Sequence, residues 1–382
     1  MDTLGNEVTR LLQDLVRIPS VNPSLAPDGN GESAIAAHLS QWAVDQGLSA
    51  DIIDDKDGRP SVLLRSGPPH AGFPTLLLCG HLDTVGFGAM ADPLEPRIEG
   101  DCLYGRGAYD MKAGLAAALI ACREVARQGI GVNVVVAAVA DEEHGSLGIQ
   151  RILGRLEADA AIVTEPTEMA IGVAHRGFVW TEIEVKGVAA HGSRPHLGVD
   201  AIARTGALLT GLERLNASLA TRAHPLLGPS IVHASLIQGG QEASTIPERC
   251  LVTIEHRTLP SQSVEDVEDG IRRLLKECSE ADGQFVAEAR TTMCRPPLET
   301  SVDHPLVTAL AGAYTGVRSG SPDVVGMSYW ADSAFIASRG IPTVLFGPGG
   351  EGAHADVEWA SITDTIDCTR ILIEVARSME HS

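Results

Sequence analysis

Five short stretches carry side chains able to handle a cation or a proton. They are Gly80-His81-Leu82-Asp83-Thr84, the run YGRGAYDMKAG at 104–114 with Asp110 inside it, Asp141-Glu142-Glu143-His144, Glu165-Pro166-Thr167, and His354 at the end of a glycine-rich run from Gly347. His81 and Asp83 are two residues apart, so in an extended segment they share a face. A histidine whose second ring nitrogen is held by a carboxylate is the usual form of a metal ligand; a hydrogen-bonded loop pair is the plain alternative. Three consecutive acids at 141–143 repel one another and lose solvation unless a cation or water relieves them. A solvated loop would also supply that relief.

Asp110 has three readings. It follows Gly105 and Gly107, which allow a sharp bend, and precedes an Ala- and Leu-rich stretch that predicts a helix from near Asp110 to Arg127. Helix capping is the commonest role for such an aspartate. A dinucleotide-binding loop fits poorly, because Asp110 stands where the third glycine should be and would repel pyrophosphate. The third reading is a metal ligand.

The elements around these residues favour convergence. Apolar runs at 75–79, 132–139 and 160–164 read as buried strands, and each ends in one of the polar clusters. Helical spacing of Val8, Leu11, Leu12, Leu15 and Val16 predicts an opening helix that stops at Ile18-Pro19, and a second helix is predicted over 32–46. Alternating strands and helices predict an α/β, doubly wound layer structure, in which ligands gather at the carboxyl ends of strands. From His175 the pattern changes. Strands at 179–185, 231–237, 251–256 and 284–291, with helices at 199–217 and 264–279, give a β-α-β-β-α-β order, that of a ferredoxin-like α+β insert. The α/β pattern then returns with a helix at 305–314, a buried strand at 343–346 and a closing helix at 362–377. The expected organisation is a catalytic domain in two parts, 1–174 and 292–382, interrupted by a domain at 175–291.

Composition narrows the function classes. The 382 residues have a formal charge of −21, which argues against nucleic acid and anionic membrane partners. No apolar run is long enough to span a membrane, and the acidic start does not resemble a signal peptide, so a cytoplasmic protein is expected. The seven cysteines are scattered and never in C-x-x-C spacing, so neither a disulfide framework nor a thiolate zinc knot is expected.

Taken together and in this order, the five motifs resemble the di-zinc hydrolases that include acetylornithine deacetylase, succinyl-diaminopimelate desuccinylase, carboxypeptidase G and the aminoacylases. The resemblance spans essentially the whole chain. It implies a zinc-exopeptidase-type catalytic domain with a mixed sheet, and a lid and dimerisation domain in the insert. Carried over by residue, it implies that Asp110 bridges two divalent metals, that His81 and Glu165 complete one site, and that Glu143 and His354 complete the other. Asp83 would orient His81, and Glu142 would be the general base. Imidazole and carboxylate ligands without thiolate suit zinc, with cobalt or manganese as alternatives. In the insert, His191 resembles a histidine that reaches the partner subunit's active site to stabilise an oxyanion; an ordinary surface histidine is the alternative. Arg257 resembles the arginine that holds a substrate carboxylate.

Two departures bear on the substrate. Ser244 stands where many members have asparagine, and Glu255 where the family has aspartate. The 328–332 segment, with Tyr329, Trp330 and Asp332, is expected to line the substrate pocket, and Gly349 belongs to a turn that brings backbone close to it. The expected activity is hydrolysis of the amide bond of an N-acyl amino acid in a homodimer. A carboxypeptidase or dipeptidase of the same mechanism is the second reading, and a metal-binding protein that has lost catalysis is the third.

Overall fold

The computed structural model describes residues 2–53 and 58–380. Its contacts divide it into two compact units, one of Met1–Val173, Thr300–Val325 and Ala331–Ser382, the other of Ala174–Glu299 and Gly326–Trp330.

The first unit opens with helix α1 (Thr3–Arg17), whose Val8, Leu11, Leu12, Leu15 and Val16 are all buried. Helix α2 (Ser33–Asp45) and strands β1 (Ser49–Ile53), β2 (Ser61–Arg65) and β3 (Thr75–His81) follow. Next come helix α3 (Ala113–Gln128) and strands β4 (Asn133–Val139), β5 (Ala160–Val163) and β6 (Ile171–His175), the last crossing into the second unit at Ala174. The apolar run of β3 is explained by burial of both its faces. Leu76 and Leu78 join the large core that also holds α1 and α3, while Leu77 and Cys79 are buried on the opposite side.

The second unit contains β7 (Gly177–Lys186), helix α4 (Ala201–Leu219), β8 (Ile231–Gly239), β9 (Arg249–Thr258), helix α5 (Val264–Ala281) and β10 (Val286–Arg295). The four strands form an antiparallel sheet in the order β8-β9-β7-β10. Ile183, Val185, Val252 and Ile254 pack with Leu208, Leu212, Ile271 and Leu274 of the helices. Period-2 alternation therefore leaves Phe178, Trp180, Glu255 and Arg257 on the face away from the helices. The final strand runs to Arg295, beyond the end expected at 291.

The chain returns to the first unit through helix α6 (Pro305–Val317), strand β11 (Thr343–Leu345) and helix α7 (Ile362–Met379). The main sheet has the order β1-β2-β4-β3-β5-β11-β6. Its centre, β4-β3-β5-β11, is parallel and its flanks are antiparallel, so the architecture is α/β with a mixed sheet. A second, small sheet joins Gly350–Glu351, Trp359–Ser361, Cys102–Tyr104 and Arg97–Glu99.

One expectation is corrected here. The helix predicted from near Asp110 begins only at Ala113. Residues Ala108–Lys112 instead form a wide turn in which Asp110 and Met111 have non-helical backbone angles, and the Asp110–Met111 peptide is cis. Asp110 is thus not a capping residue, because its side chain is directed to two histidines.

Candidate metal centre

The centre is assembled at the carboxyl ends of β3, β4 and β5. His81 closes β3 and is buried. Its Nδ1 lies 2.9 Å from the main-chain carbonyl oxygen of Asp83, to which it donates. That holds a proton on Nδ1 and directs Nε2 into the site. Nε2 lies 3.1 Å from Asp110 Oδ1 and 3.9 Å from Glu165 Oε2. The Asp83 carboxylate is 3.8 Å from Nδ1 and is engaged elsewhere. It accepts the main-chain N–H groups of Glu142 (3.1 Å) and Glu143 (3.2 Å) and the amide of Asn22 (2.7 Å). Asp83 therefore holds His81 through its carbonyl and the acidic loop through its carboxylate.

Asp110 uses both oxygens. While Oδ1 faces His81, Oδ2 lies 3.4 Å from His354 Nε2, and that nitrogen is 2.9 Å from Glu143 Oε2. His81, Asp110 and Glu165 form one cluster of facing donor atoms, and Asp110, Glu143 and His354 a second, each within 4.8 Å. The turn that presents Asp110 is fixed by Glu358. This buried carboxylate accepts the N–H groups of Gly107 (3.0 Å), Tyr109 (3.0 Å) and Asp110 (3.1 Å) and pairs with Arg106 at 2.7 Å. Gly107 has φ 74°, which only glycine adopts without strain. Behind the turn, the Lys112 ammonium is buried and donates to the carbonyls of Leu15 and Ile18, both at 3.0 Å. Gly114 lets α3 press on the end of β5, since a Cβ there would stand 1.8 Å from the Thr164 carbonyl.

A second buried network supports the acidic loop. Asp141 has φ 67° and is fully buried. It accepts from Asn22 at 3.0 Å and pairs with Arg59 at 2.9 Å, while Arg59 grips the buried Glu32 through two bonds of 2.6 Å. Sequence reasoning missed Glu358, Asn22, Arg59 and Glu32. Each is an ordinary residue in its local segment, and its importance comes from partners distant in the chain.

The residues present fit a pair of divalent cations. Their donors are hard oxygens and imidazole nitrogens. Glu143 Oε1 is buried with no hydrogen-bond partner among the described residues, a costly state for a carboxylate oxygen that a cation would relieve. Electrostatics agree. Burial pushes Glu142 and Glu143 up, and raises Glu165 to about 8. Burial also acts to raise Asp110, but hydrogen bonds from His354 and His81 outweigh it and hold this carboxyl well below its usual range. Asp110 and Glu143 raise His354 to about 10. Burial opposes charging of His81, yet Glu165 and Asp110 lift it well above its ordinary value.

A prediction follows from these signs. Near pH 7 the metal-free centre holds protons on Glu165 and His354, whose values lie above that pH, and each must leave before the group can ligate. Metal binding should therefore release protons, and affinity should fall as pH drops. Calorimetric titration of metal-free protein in buffers of different ionisation enthalpy measures this directly; no proton release would contradict it.

Of the remaining expected site residues, Asp332 is buried in the first unit, and its negative field acts on Glu142 and Glu165. The space beside Gly349 is taken by carboxylates, since a Cβ there would meet Asp364 Oδ2 at 2.4 Å and Glu168 Oε2 at 2.6 Å. His191 and Arg257 belong to the second unit. Ser193 N–H donates to His191 Nδ1 at 3.2 Å, which leaves the proton on the exposed Nε2. Arg257 lies 3.3 Å from Glu255 Oε1.

Comparison with known proteins places the chain in a family. The model of peptidase family M20/M25/M40 matches residues 77–378. Acetylornithine deacetylase of Myxococcus xanthus is 30% identical over 324 residues, covering 82% of each chain. A Bacillus subtilis enzyme, N-formyl-4-amino-5-aminomethyl-2-methylpyrimidine deformylase, is 26% identical, covering 91% of this chain and 90% of its own. Among solved structures, an M20 family metallo-carboxypeptidase of Sulfolobus solfataricus superposes with a TM-score of 0.78 at 20% identity over the full length of both chains. Aminopeptidase PepT of Bacillus cereus gives 0.80 at 19% identity over 98% of both. At those identities the structures speak for the fold. With a family match running from β3 into the closing helix, the chain is a member of peptidase family M20/M25/M40 and a metal-dependent hydrolase.

Proposed function

We propose that this enzyme hydrolyses the amide bond of an N-acyl amino acid. One observation carries the mechanism: the two oxygens of Asp110 face different histidines, His81 and His354, each with its own glutamate beside it. In this reading Asp110 is shared by two divalent cations, with His81 and Glu165 on one and Glu143 and His354 on the other. Zinc suits these donors, and cobalt or manganese can take the same ligands. When bound, the pair would acidify a water and polarise the scissile carbonyl.

Glu142 is adjacent in sequence to the proposed ligand Glu143 and is held by its main chain to Asp83. Its carboxylate takes a proton from the attacking water as the water oxygen bonds to the carbonyl carbon. It returns that proton to the nitrogen as the C–N bond breaks, releasing a carboxylic acid and a free amine. His191, with its proton on Nε2, is suited to donate to the oxyanion of the tetrahedral intermediate. Arg257 takes the carboxylate of the substrate.

The deacylase reading draws on the curated relatives, which are named as a deacetylase and a deformylase. The fold neighbours include a carboxypeptidase, so a peptidase with the same centre is the second reading. A hydrolysis screen of metal-loaded protein with N-acetyl amino acids, N-succinyl amino acids and dipeptides separates them. Chelator-sensitive turnover of an N-acyl amino acid supports the first reading, while cleavage of dipeptides alone replaces it with the second.

A homodimer through the second unit is part of the proposal. Strand β8 lies at the sheet edge, with Leu236 at 69% and Ile237 at 55% exposure, a surface suited to pairing with a second copy. If His191 serves the partner's site, mixing inactive His191→Ala and Glu142→Ala chains should restore part of the activity. Complete silence of the mixture would refute sharing. Among the described residues no helix is long and apolar enough to cross a membrane, which is compatible with the cytoplasmic location we assign.

A further inference from the structure

The face of the second unit's sheet away from its helices carries an aromatic cluster beside Arg257. Register places Arg257 and Arg295 opposite Phe178 on either side, and Glu255 opposite Trp180 in the next row. The Arg257 guanidinium carbon lies 5.6 Å from the centre of the Phe178 ring. Phe178 is in turn 5.4 Å from the Trp180 ring, at an interplanar angle of 31°, and 6.0 Å from the Trp330 ring, at 79°. Trp330 is pinned by donating its indole N–H to the Pro296 carbonyl at 2.9 Å, and Arg295 lies 5.9 Å from its ring centre. Aromatic residues make up only 4% of the chain, so three of them clustered about Phe178, whose ring adjoins Arg257, call for an explanation.

We infer that this face selects an aromatic side chain on the amino acid whose carboxylate Arg257 holds. The inference rests on the assignment of Arg257 under Proposed function. A side chain leaves the α-carbon one bond from the carboxylate, so it must lie close to the guanidinium. What surrounds that guanidinium is Phe178, with Trp180 and Trp330 beyond it. Rings of this kind accept a further ring in an offset or edge-on arrangement, which an aliphatic group of the same size cannot match. Glu255 adds a negative charge 3.3 Å from Arg257, which disfavours an acidic side chain. The substrate class is therefore an N-acyl amino acid with an aromatic side chain.

The test compares 3-phenylpropanoate with 3-cyclohexylpropanoate as ligands of the full-length, metal-loaded protein, followed by calorimetry or by quenching of tryptophan fluorescence. The cyclohexyl compound is at least as apolar, so burial of surface alone gives the phenyl compound no advantage. The expected result is tighter binding of the phenyl compound by about threefold to tenfold. Replacing both Phe178 and Trp330 by leucine should erase that preference and keep carboxylate binding. Arg257→Ala should weaken both ligands together. Equal or better binding of the cyclohexyl compound by the unaltered protein would overturn the aromatic selection, without reliance on any variant. If Arg257→Ala bound both ligands as the unaltered protein does, the Arg257 assignment itself would fall, a distinguishable result.

Discussion

Glu142→Ala should keep two equivalents of metal and lose turnover by about 10²- to 10⁴-fold, the usual contribution of a positioned general acid and base. The loop carrying Glu142 is fixed from its main chain, through the N–H groups of residues 142 and 143 on the Asp83 carboxylate, so truncating the side chain leaves that anchorage intact. The substitution also removes a buried carboxyl that burial, and then the charges of Glu165, Asp332 and Glu143, push toward protonation. Loss of this unfavourably buried acid means that the fold should hold or gain slightly in stability. Metal analysis by plasma emission, melting temperature and kcat on one preparation check the three parts. Activity within a few-fold of the unaltered enzyme would remove Glu142 as the base.

Asp110→Ala should have the opposite profile. Here one carboxylate stands in both donor clusters, so its loss leaves each with one histidine and one glutamate. Two weak sites that no longer share a ligand should release both metals together under dialysis, and activity should fall below detection. Asp110→Asn, which keeps the size but not the charge, should lose metal nearly as completely. Retention of two full equivalents in Asp110→Ala would rule out a bridging role. Loss of one alone would place Asp110 on a single site.

The centre was legible in the sequence to the extent that it is made of strand ends. His81, Glu142, Glu143 and Glu165 each follow an apolar run whose hydrophobicity marks a doubly covered strand, and parallel strands side by side must deliver their carboxyl ends to one edge. The insert was legible for the same reason: its strands alternate and its helices carry one apolar face. Asp110 was harder. Its glycines and the alanine-rich stretch after it point to a helix start, and local propensity has no means of registering that Glu358 draws the N–H groups of Gly107, Tyr109 and Asp110 away from helical bonding. The support network was invisible for a related reason. Arg59 and Glu32 look like surface residues beside polar neighbours, yet both are buried because Asp141 needs a cation at its back. Asp332 was named from its segment alone, which does not reveal that it is buried with its charge felt at Glu142 and Glu165.

The link between Glu358 and the Asp110 turn has a consequence for the order in which the molecule is made. About two thirds of the chain separates the two, 248 residues from Asp110 to its anchor. Synthesis proceeds from the amino end, so α1, α3 and the three strand ends that carry His81, Glu143 and Glu165 leave the ribosome long before the segment that gives the turn its shape and brings His354. A nascent chain at that stage carries a dense set of carboxylates with neither its anchor nor its last imidazole in place. Completion of this turn thus belongs to the end of synthesis, and a stop just short of residue 358 leaves a protein with most of its mass and without the anchor of Asp110.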